Sequence, residues 1–442
     1  MAYANFFSYF YKVGIEIQEK SLYNIRCIRG ELYSMSFRIF GETLSKLRKK
    51  SGMTQQELAE ILDFSNKTIS KWETSETLPE ITVLLQLAEI FGVSVDYLLC
   101  GERKSIVFAG TLLADMSKDV NCYPEVGKLA RITSTRQSVG GCVASTAINL
   151  AKIDSSIPIS AYGCVGDDET GHFILSKMKS YNINTNSVTV LPGIHTDTAD
   201  VFNLPDGSRV FFNSSSAGAL FGPEHIDLED LQCQILHVGY ALLLDKFEAP
   251  DSTYGTVMAR FLNTVRTKGI KTSLDIASPS EADWKKRVLP TFKYVDYLIC
   301  NEVECCSCFD VSPRNDDGTL NLFSIKSAMQ KALSAGINEK VIIHTKEAAF
   351  LMNKNGSFFF TTSIDVPKEN IKGSAGPGDA FCAAALYAIY NDMTDQELLE
   401  FASGAAAMSL FSKNAIDGMR DKKEILKFIK GSRRKQVKGI NI

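Results

Sequence analysis

The stretch Lys372-Gly373-Ser374-Ala375-Gly376-Pro377-Gly378-Asp379-Ala380-Phe381 leads directly into an apolar helical segment, Asp379 to Tyr390. Closely spaced glycines at a helix start let backbone N–H groups approach an anion. A carboxylate there, Asp379, is placed to take a proton from an alcohol as it attacks a phosphoryl group. Alone, a Gly-x-Gly-Asp turn is more often a plain helix start. The surrounding sequence decides between the two.

Upstream, short apolar runs alternate with helical stretches. The runs are Ile106-Val107-Phe108, Ile159 to Tyr162, Ile235 to Val238, Thr272 to Ile276, Tyr297 to Cys300 and Val341 to His344, with helices such as Tyr254 to Thr267 between them. That grammar predicts an α/β unit, a doubly wound, mostly parallel sheet with helices on both faces. Arg131 to Ser138 and Asp200 to Asn213 alternate polar and apolar residues instead, the latter around an Asp206-Gly207 turn. These predict a small antiparallel flap set off from the main sheet. Gly140-Gly141, the run Gly163-Cys164-Val165-Gly166-Asp167-Asp168-Glu169-Thr170-Gly171, and Asn301-Glu302-Val303-Glu304 precede the opening stretch in that order.

Taken together, residues from about Ser105 to Gly431 resemble the ribokinase-like (PfkB) carbohydrate kinase family. The resemblance implies a doubly wound sheet with a small β lid, and transfer of the ATP γ-phosphate to a hydroxymethyl group of a sugar or nucleoside. It makes Asp379 the base and Gly376, Pro377 and Gly378 the anion hole. Asp115, after the first strand and Gly110, matches the carboxylate that binds sugar hydroxyls, and Gly140 and Gly141 match the close backbone approach to substrate. Asn301 and Glu304 match the Asn-x-x-Glu motif that organises Mg2+ and its water shell. One carboxylate holding a largely hydrated Mg2+ suits that ion.

Four positions depart from the family pattern. Ser145 replaces an Asn, which shortens or removes a hydrogen bond to sugar. Gly373 stands where the motif carries an Asp linked to a monovalent-cation site, which weighs against potassium activation. Pro377 has no N–H to give to the anion hole, and losing one such donor costs on the order of 10²–10³ in rate. His344-Thr345-Lys346-Glu347-Ala348-Ala349 replaces the Thr-x-Gly-x-x-Gly nucleotide loop. Its larger residues crowd the ATP phosphates unless Lys346 pairs with them.

Residues from about 36 to 100 read as short helices only, an all-α domain ahead of the α/β one. Phe40, Leu44 and Leu47 form one stripe ending at Ser51-Gly52. Thr54 with Glu57 makes a capping box, and Leu58, Ala59, Ile61 and Leu62 follow as a buried face. Ser65 is a natural N-cap for Asn66 to Glu73. Pro79 opens a further stretch that Gly92 closes, and Val95, Tyr97 and Leu98 complete the packing. The series from Met53 to Glu73, continued through Pro79, Leu84, Leu87 and Phe91 to Leu98, resembles the lambda-repressor-like (XRE) helix-turn-helix family. The resemblance implies a second helix that enters the major groove. Ser65, Asn66, Lys67 and Thr68 would meet bases, with Ser70 and Lys71 close behind. Gln55, at the start of the supporting helix, would hold a phosphate. Lys46, Arg48, Lys49 and Lys50 form a local basic patch. A homodimer on a palindromic operator is the usual consequence of the family geometry. The alternative reading is a protein-binding helical module with solvated surface charges.

The bulk properties fit this division. A chain of 442 residues exceeds one hydrophobic core, and 45% apolar with 22% charged residues is ordinary for globular protein. A net charge of −3 excludes global attraction to nucleic acid, so DNA binding must be local. Eleven cysteines and no basic-then-apolar leader at Met1-Ala-Tyr-Ala-Asn-Phe-Phe predict reduced thiols in a cytoplasmic protein. No apolar run is long enough to span a bilayer. Cys300, Cys305, Cys306 and Cys308 lack the paired spacing of a zinc ribbon and read as core packing. Residues 1–35 read as an aromatic-rich extension without clean period, with Met35 as an alternative start. The linker at Gly101 to Lys104 is too short for independent motion of the two parts, and residues 432–442 form a basic tail. Three functions compete: a regulator whose kinase-like domain binds and phosphorylates a sugar or nucleoside, a metabolic sugar kinase with an accessory DNA-binding domain, and a sugar-sensing regulator without catalysis.

Overall fold

The computed structural model describes residues 40–93, 95–100, 105–279, 282–373 and 375–437. The N-terminal extension, Met35, the Gly101 to Lys104 linker and the end of the tail beyond residue 437 lie outside the described residues. The chain divides into two compact units, residues 1–103 and 104–442.

In the first unit five helices follow one another: α1 (40–50), α2 (Gln55–Leu62), α3 (Asn66–Glu73), α4 (Ile81–Phe91) and α5 (Val95–Cys100). Thr54 and Glu57 form the expected reciprocal box, with Thr54 N–H donating to Glu57 Oε2 at 2.7 Å. Ser65 Oγ accepts from Thr68 N–H at 3.1 Å. Each cap satisfies donors that the first helical turn leaves without partners. Asp63 (φ 59°) and Gly92 (φ 62°) end α2 and α4 in the left-handed conformation. Phe40, Leu44, Leu58, Ile69 and Leu87 are fully buried in the shared core, and the Phe64 ring meets Trp72 edge-on at 5.2 Å.

The second unit carries a nine-stranded sheet. Its strands are β1 (Ile106–Gly110), β4 (Ile159–Gly166), β5 (Val188–Leu191), β8 (Ile235–Ala241), β9 (Lys271–Ile276), β10 (Tyr297–Asn301), β11 (Lys340–His344), β12 (Ala348–Asn353) and β13 (Phe358–Thr362). They lie in the order β13-β12-β11-β10-β9-β8-β1-β4-β5. Pairs from β5 across to β11 are parallel, and β11, β12 and β13 are antiparallel. The run read at the sequence level as a nucleotide loop is therefore the hairpin turn between β11 and β12. Ala348 and Ala349 begin a buried strand, paired on both sides, that apolar content alone does not distinguish from a helix.

Alternate residues of β1 serve two cores. Ile106 and Phe108 pack with α6 (Cys142–Ile153), α7 (Glu169–Lys179), α11 (Pro377–Tyr390) and α12 (Asp395–Ser409). Val107 and Ala109 pack on the other face with α8 (Val257–Thr267), α9 (Glu302–Ser307) and α10 (Leu322–Ala335). Near-continuous apolar strands are what a sheet covered on both faces requires. Cys300, Cys305, Cys306 and Cys308 are fully buried in the second core.

The lid is a separate sheet of β2 (Leu113–Val120), β3 (Ile132–Gly140), β6 (Asp197–Asn203) and β7 (Arg209–Asn213), ordered β3-β2-β6-β7. One expectation changes here. The flap is mixed, because β2 and β6 run parallel; the chain leaves β3, passes through the main sheet and re-enters at β6, a crossover that a tight turn cannot make. Asp115, after the first strand and Gly110, sits within lid strand β2, a strand whose weak apolar content hid it from the sequence. The basic tail also packs on this unit: Arg434 Nη1 donates to Thr362 O at 2.7 Å and Lys435 N–H to Ser363 O at 2.8 Å.

Candidate active site and nucleic-acid interface

On the helical unit, Ser65, Asn66, Lys67 and Lys71 are exposed, Thr68 and Ser70 half-buried, and Ile69 and Trp72 face inward. The polar side of α3 is thus presented as the sequence predicts. One member of the expected basic patch does not survive. Arg48 is 8% exposed and is not part of a surface patch. Its Nε donates to Glu73 Oε1 at 2.5 Å, its Nη2 to Glu73 Oε2 at 3.0 Å and its Nη1 to Met53 O at 2.7 Å. Gln55, half-buried at the start of α2, donates from Nε2 to Glu73 Oε2 at 2.8 Å. Burial pushes the Glu73 carboxyl up, but the hydrogen bonds from Arg48 and Gln55 outweigh it and hold the group below its ordinary range.

In the α/β unit the candidate residues collect where parallel strands end, the usual ligand crevice of such sheets. Gly376 (φ 86°) is the N-cap of α11, Pro377 its first residue and Asp379 its third. At the first helical position an N–H has no helical partner, so Pro377 fits the turn without strain. The N–H groups of Gly378 and Asp379 are the first-turn donors that remain. A Cβ on Gly376 would lie 2.4 Å from Ala415 Cα, so only glycine fits. Ala415 is in turn tied to α6, because Asn149 Nδ2 donates to its carbonyl at 3.1 Å and Lys152 Nζ to Ile416 O at 2.7 Å.

Asp379 is buried, and that burial raises its carboxyl to about 7; the Tyr240 hydroxyl, donating to Oδ1 at 3.0 Å, pulls it back and Asp115 pushes it up. Asp115 is likewise raised by burial, to about 6, against the opposing pull of Arg209. Gly140 and Gly141 make room around it. A Cβ on Gly140 would stand 2.5 Å from Asp115 Oδ1, and one on Gly141 (φ 76°) 2.5 Å from Thr111 O. Ser145 is fully buried one turn into α6, and its Oγ has no partner.

Asn301 and Glu304 form a capping box at the start of α9. Asn301 Oδ1 accepts from Glu304 N–H at 2.9 Å, and Glu304 Oε2 accepts from Asn301 N–H at 2.8 Å. Ser278 Oγ donates to the other oxygen at 2.8 Å. Burial lifts Glu304 to about 7 despite these bonds. The Gly163 to Gly171 run is structural: Asp168 Oδ1 accepts from Gly171 N–H and Thr196 Oγ1, fixing the entry to the lid strand β6.

Three groups escaped the sequence reading. Tyr240 and Asp275 follow apolar strand runs, and their only signal was position at a parallel strand's C-terminal end. Asp275 is forced well above the carboxylate range by burial and then by the charges of Glu304 and Asp379. The third is Arg314, which clamps the β11–β12 turn: its Nη1 meets Glu347 Oε1 at 2.8 Å and its Nη2 meets Glu302 Oε1 at 2.5 Å. Lys346 is exposed, with its carbonyl accepting from Lys435 Nζ at 2.8 Å.

Comparison with known proteins agrees with this geometry. The family model for helix-turn-helix domains matches residues 44–98. A ribokinase of Arabidopsis thaliana is 24% identical over 330 residues, 74% of this chain and 81% of its own. Fructokinase-2 of Solanum lycopersicum is 24% identical over 345 residues, 74% of this chain and 96% of its own. Among solved structures, Arabidopsis thaliana ribokinase complexed with ribose and ATP matches with a TM-score of 0.61 at 20% identity, over 74% of this chain and 99% of that one. Ribokinase from Thermotoga maritima gives 0.61 at 20% identity, over 74% and 100%. At such identities the structural likeness establishes the fold. The family model for pfkB carbohydrate kinases matches residues 103–422, nearly the whole of the α/β unit, and the chain belongs to that family.

Proposed function

We propose that this chain is a DNA-binding transcriptional regulator whose kinase domain binds a sugar or nucleoside and transfers the γ-phosphate of ATP to its hydroxymethyl group. The observation that carries the reading is Asp379, a buried carboxyl raised to about 7 at the start of a helix whose first-turn N–H groups are available. A base poised near the working pH is what proton removal from an alcohol needs. In this reading Asp115 accepts hydrogen bonds from substrate hydroxyls, Gly140 and Gly141 let the substrate lie against the backbone, and Ser145 supplies a shorter reach than Asn. Gly378 and Asp379 N–H groups receive the developing phosphoryl charge, with Pro377 contributing none. Asp275, Glu304 and Asp379 bring three buried, upward-shifted carboxyls together, a deficit of positive charge that fits Mg2+. Glu304, oriented by Asn301, would hold the ion, which neutralises phosphate charge when bound. Gly373 in place of an acid argues against a monovalent-cation requirement.

The DNA half rests on the exposed polar side of α3. We place the protein in the cytoplasm, acting as a homodimer on a palindromic operator, with ligand altering operator affinity through different affinities of two states. Among the described residues no helix is long and apolar enough to cross a membrane. Lys67→Ala is expected to abolish specific binding to the DNA upstream of the protein's own coding region. Wild-type binding should weaken steeply with salt in a fluorescence anisotropy titration. Equal binding of any duplex, with and without sugar, rejects the regulator.

ADP release screened across sugars and nucleosides tests the kinase half. A sensor without catalysis is favoured by the missing Pro377 donor. It replaces the kinase reading if one sugar raises the melting temperature but none is turned over. The pH dependence is a sharper check. Asp379 must be ionised to act, so kcat/KM should fall as pH drops through about 7. Tyr240→Phe removes a hydrogen bond that favours the ionised form, so the acid limb should move to higher pH. An unmoved limb would show that Asp379 is not the titrating group.

A further inference from the structure

Behind the catalytic face, His237 and Cys382, which neither phosphoryl transfer nor DNA binding uses, lie beside Asp275 of the carboxyl cluster. His237 on β8, Asp275 at the end of β9 and Cys382 on α11 are all buried, and one ligand atom from each lies within 4.8 Å of the others. His237 Nε2 is 3.7 Å from Cys382 Sγ. A tetrahedral ion with metal–sulfur and metal–nitrogen bonds of ordinary zinc length sets its ligands about 3.5 Å apart. The other ring nitrogen, Nδ1, is 3.0 Å from Ser273 Oγ. With Ser273 accepting from Nδ1–H, the Nε2 lone pair is left for an ion, the usual arrangement of a metal-binding histidine. Asp275, whose carboxyl burial holds protonated, offers an oxygen ligand once that proton leaves, and it lies in the field of Glu304 and Asp379. No Lys or Arg figures among the charges acting on Asp275, which are those of Glu304 and Asp379.

We propose that His237, Asp275 and Cys382 form a binding site for a borderline-soft divalent cation such as zinc, separate in chemistry from the oxygen ligands that suit Mg2+. Thiolate and imidazole select such ions over Mg2+. Binding exchanges the thiol proton of Cys382 and the carboxyl proton of Asp275, both released to solvent, for metal–sulfur and metal–oxygen bonds. Because Asp275 also faces Asp379, an ion here changes the field at the base and makes the kinase domain responsive to zinc.

Cobalt titration of the full chain tests this, with saturating Mg2+ present and in a Cys122→Ser background, since Cys122 is exposed. One equivalent of cobalt should develop thiolate-to-metal charge-transfer absorption. Cys382→Ser should abolish that band, and His237→Asn should weaken apparent affinity about tenfold or more. Zinc-edge X-ray absorption on the zinc-loaded protein should find sulfur and imidazole in the ion's shell, a readout that needs no ligand variant to fold. The proposal is overturned if the folded chain gives no such band, if the band is unchanged in either variant, or if the zinc shell holds no sulfur.

Discussion

Replacing Asp379 with Asn is expected to reduce turnover by about 10²–10⁴-fold, the usual contribution of a positioned general base, without loss of fold. Asn keeps the shape and can still accept from the Tyr240 hydroxyl, but it cannot take a proton. The raised carboxyl also fixes the sign of the stability change. A group whose acidity is weakened from 3.8 to about 7 on folding binds its proton more tightly in the native state. Its ionisation therefore costs stability as pH rises through that window. At pH 8 the Asn variant should melt at the same temperature as wild type or higher, while ADP release in a coupled assay collapses. Full activity in this variant would remove Asp379 from the chemistry. A collapse of both melting temperature and activity would make it a structural residue.

The second large effect concerns the helical unit. Glu73→Ala is expected to destabilise it by about 2–3 kcal/mol, somewhat less than stripping one partner from a fully buried ion pair, because this pair is only partly buried. Arg48, 8% exposed, would be left with only the Met53 carbonyl, and the Gln55 amide would lose its acceptor. The measurement is the unfolding midpoint of that unit in urea, followed through Trp72 fluorescence, together with operator binding. The ionised form of Glu73 is favoured by folding, so the wild-type advantage should itself fade as pH drops below the ordinary Glu value of 4.5. A variant with unchanged midpoint would show that the pair is mere surface decoration.

These two residues also mark the limits of sequence reading. The place of Asp379 in a glycine turn at a helix start was legible because that turn and its helix follow each other along the chain. Thr54, Glu57 and Ser65 were legible for the same reason, since caps are local chemistry. Arg48 and Glu73 lie 25 positions apart, and a basic run, Lys46 to Lys50, reads alike whether one member turns inward or not. Tyr240 was hidden for a related reason. Nothing near it in sequence reports that its hydroxyl meets a carboxyl 139 positions away. Lid strand β2 was missed because half-exposed residues on both of its faces blunt the alternation that betrays a strand.

The contact between Gly376 and Ala415 has a consequence for engineering. The loop carrying Ala415 is fixed on one side by the glycine turn and on the other by Asn149 and Lys152 of α6. Its length is therefore set to the residue, and insertions or deletions there should displace both ends of the crevice at once. The lid hairpin at Asp206-Gly207 is the opposite case, exposed and closed by its own backbone bonds between Leu204 and Ser208. An epitope or fluorophore grafted at that hairpin should be carried without disturbing the crevice, and it would report on lid position from an exposed, locally closed site.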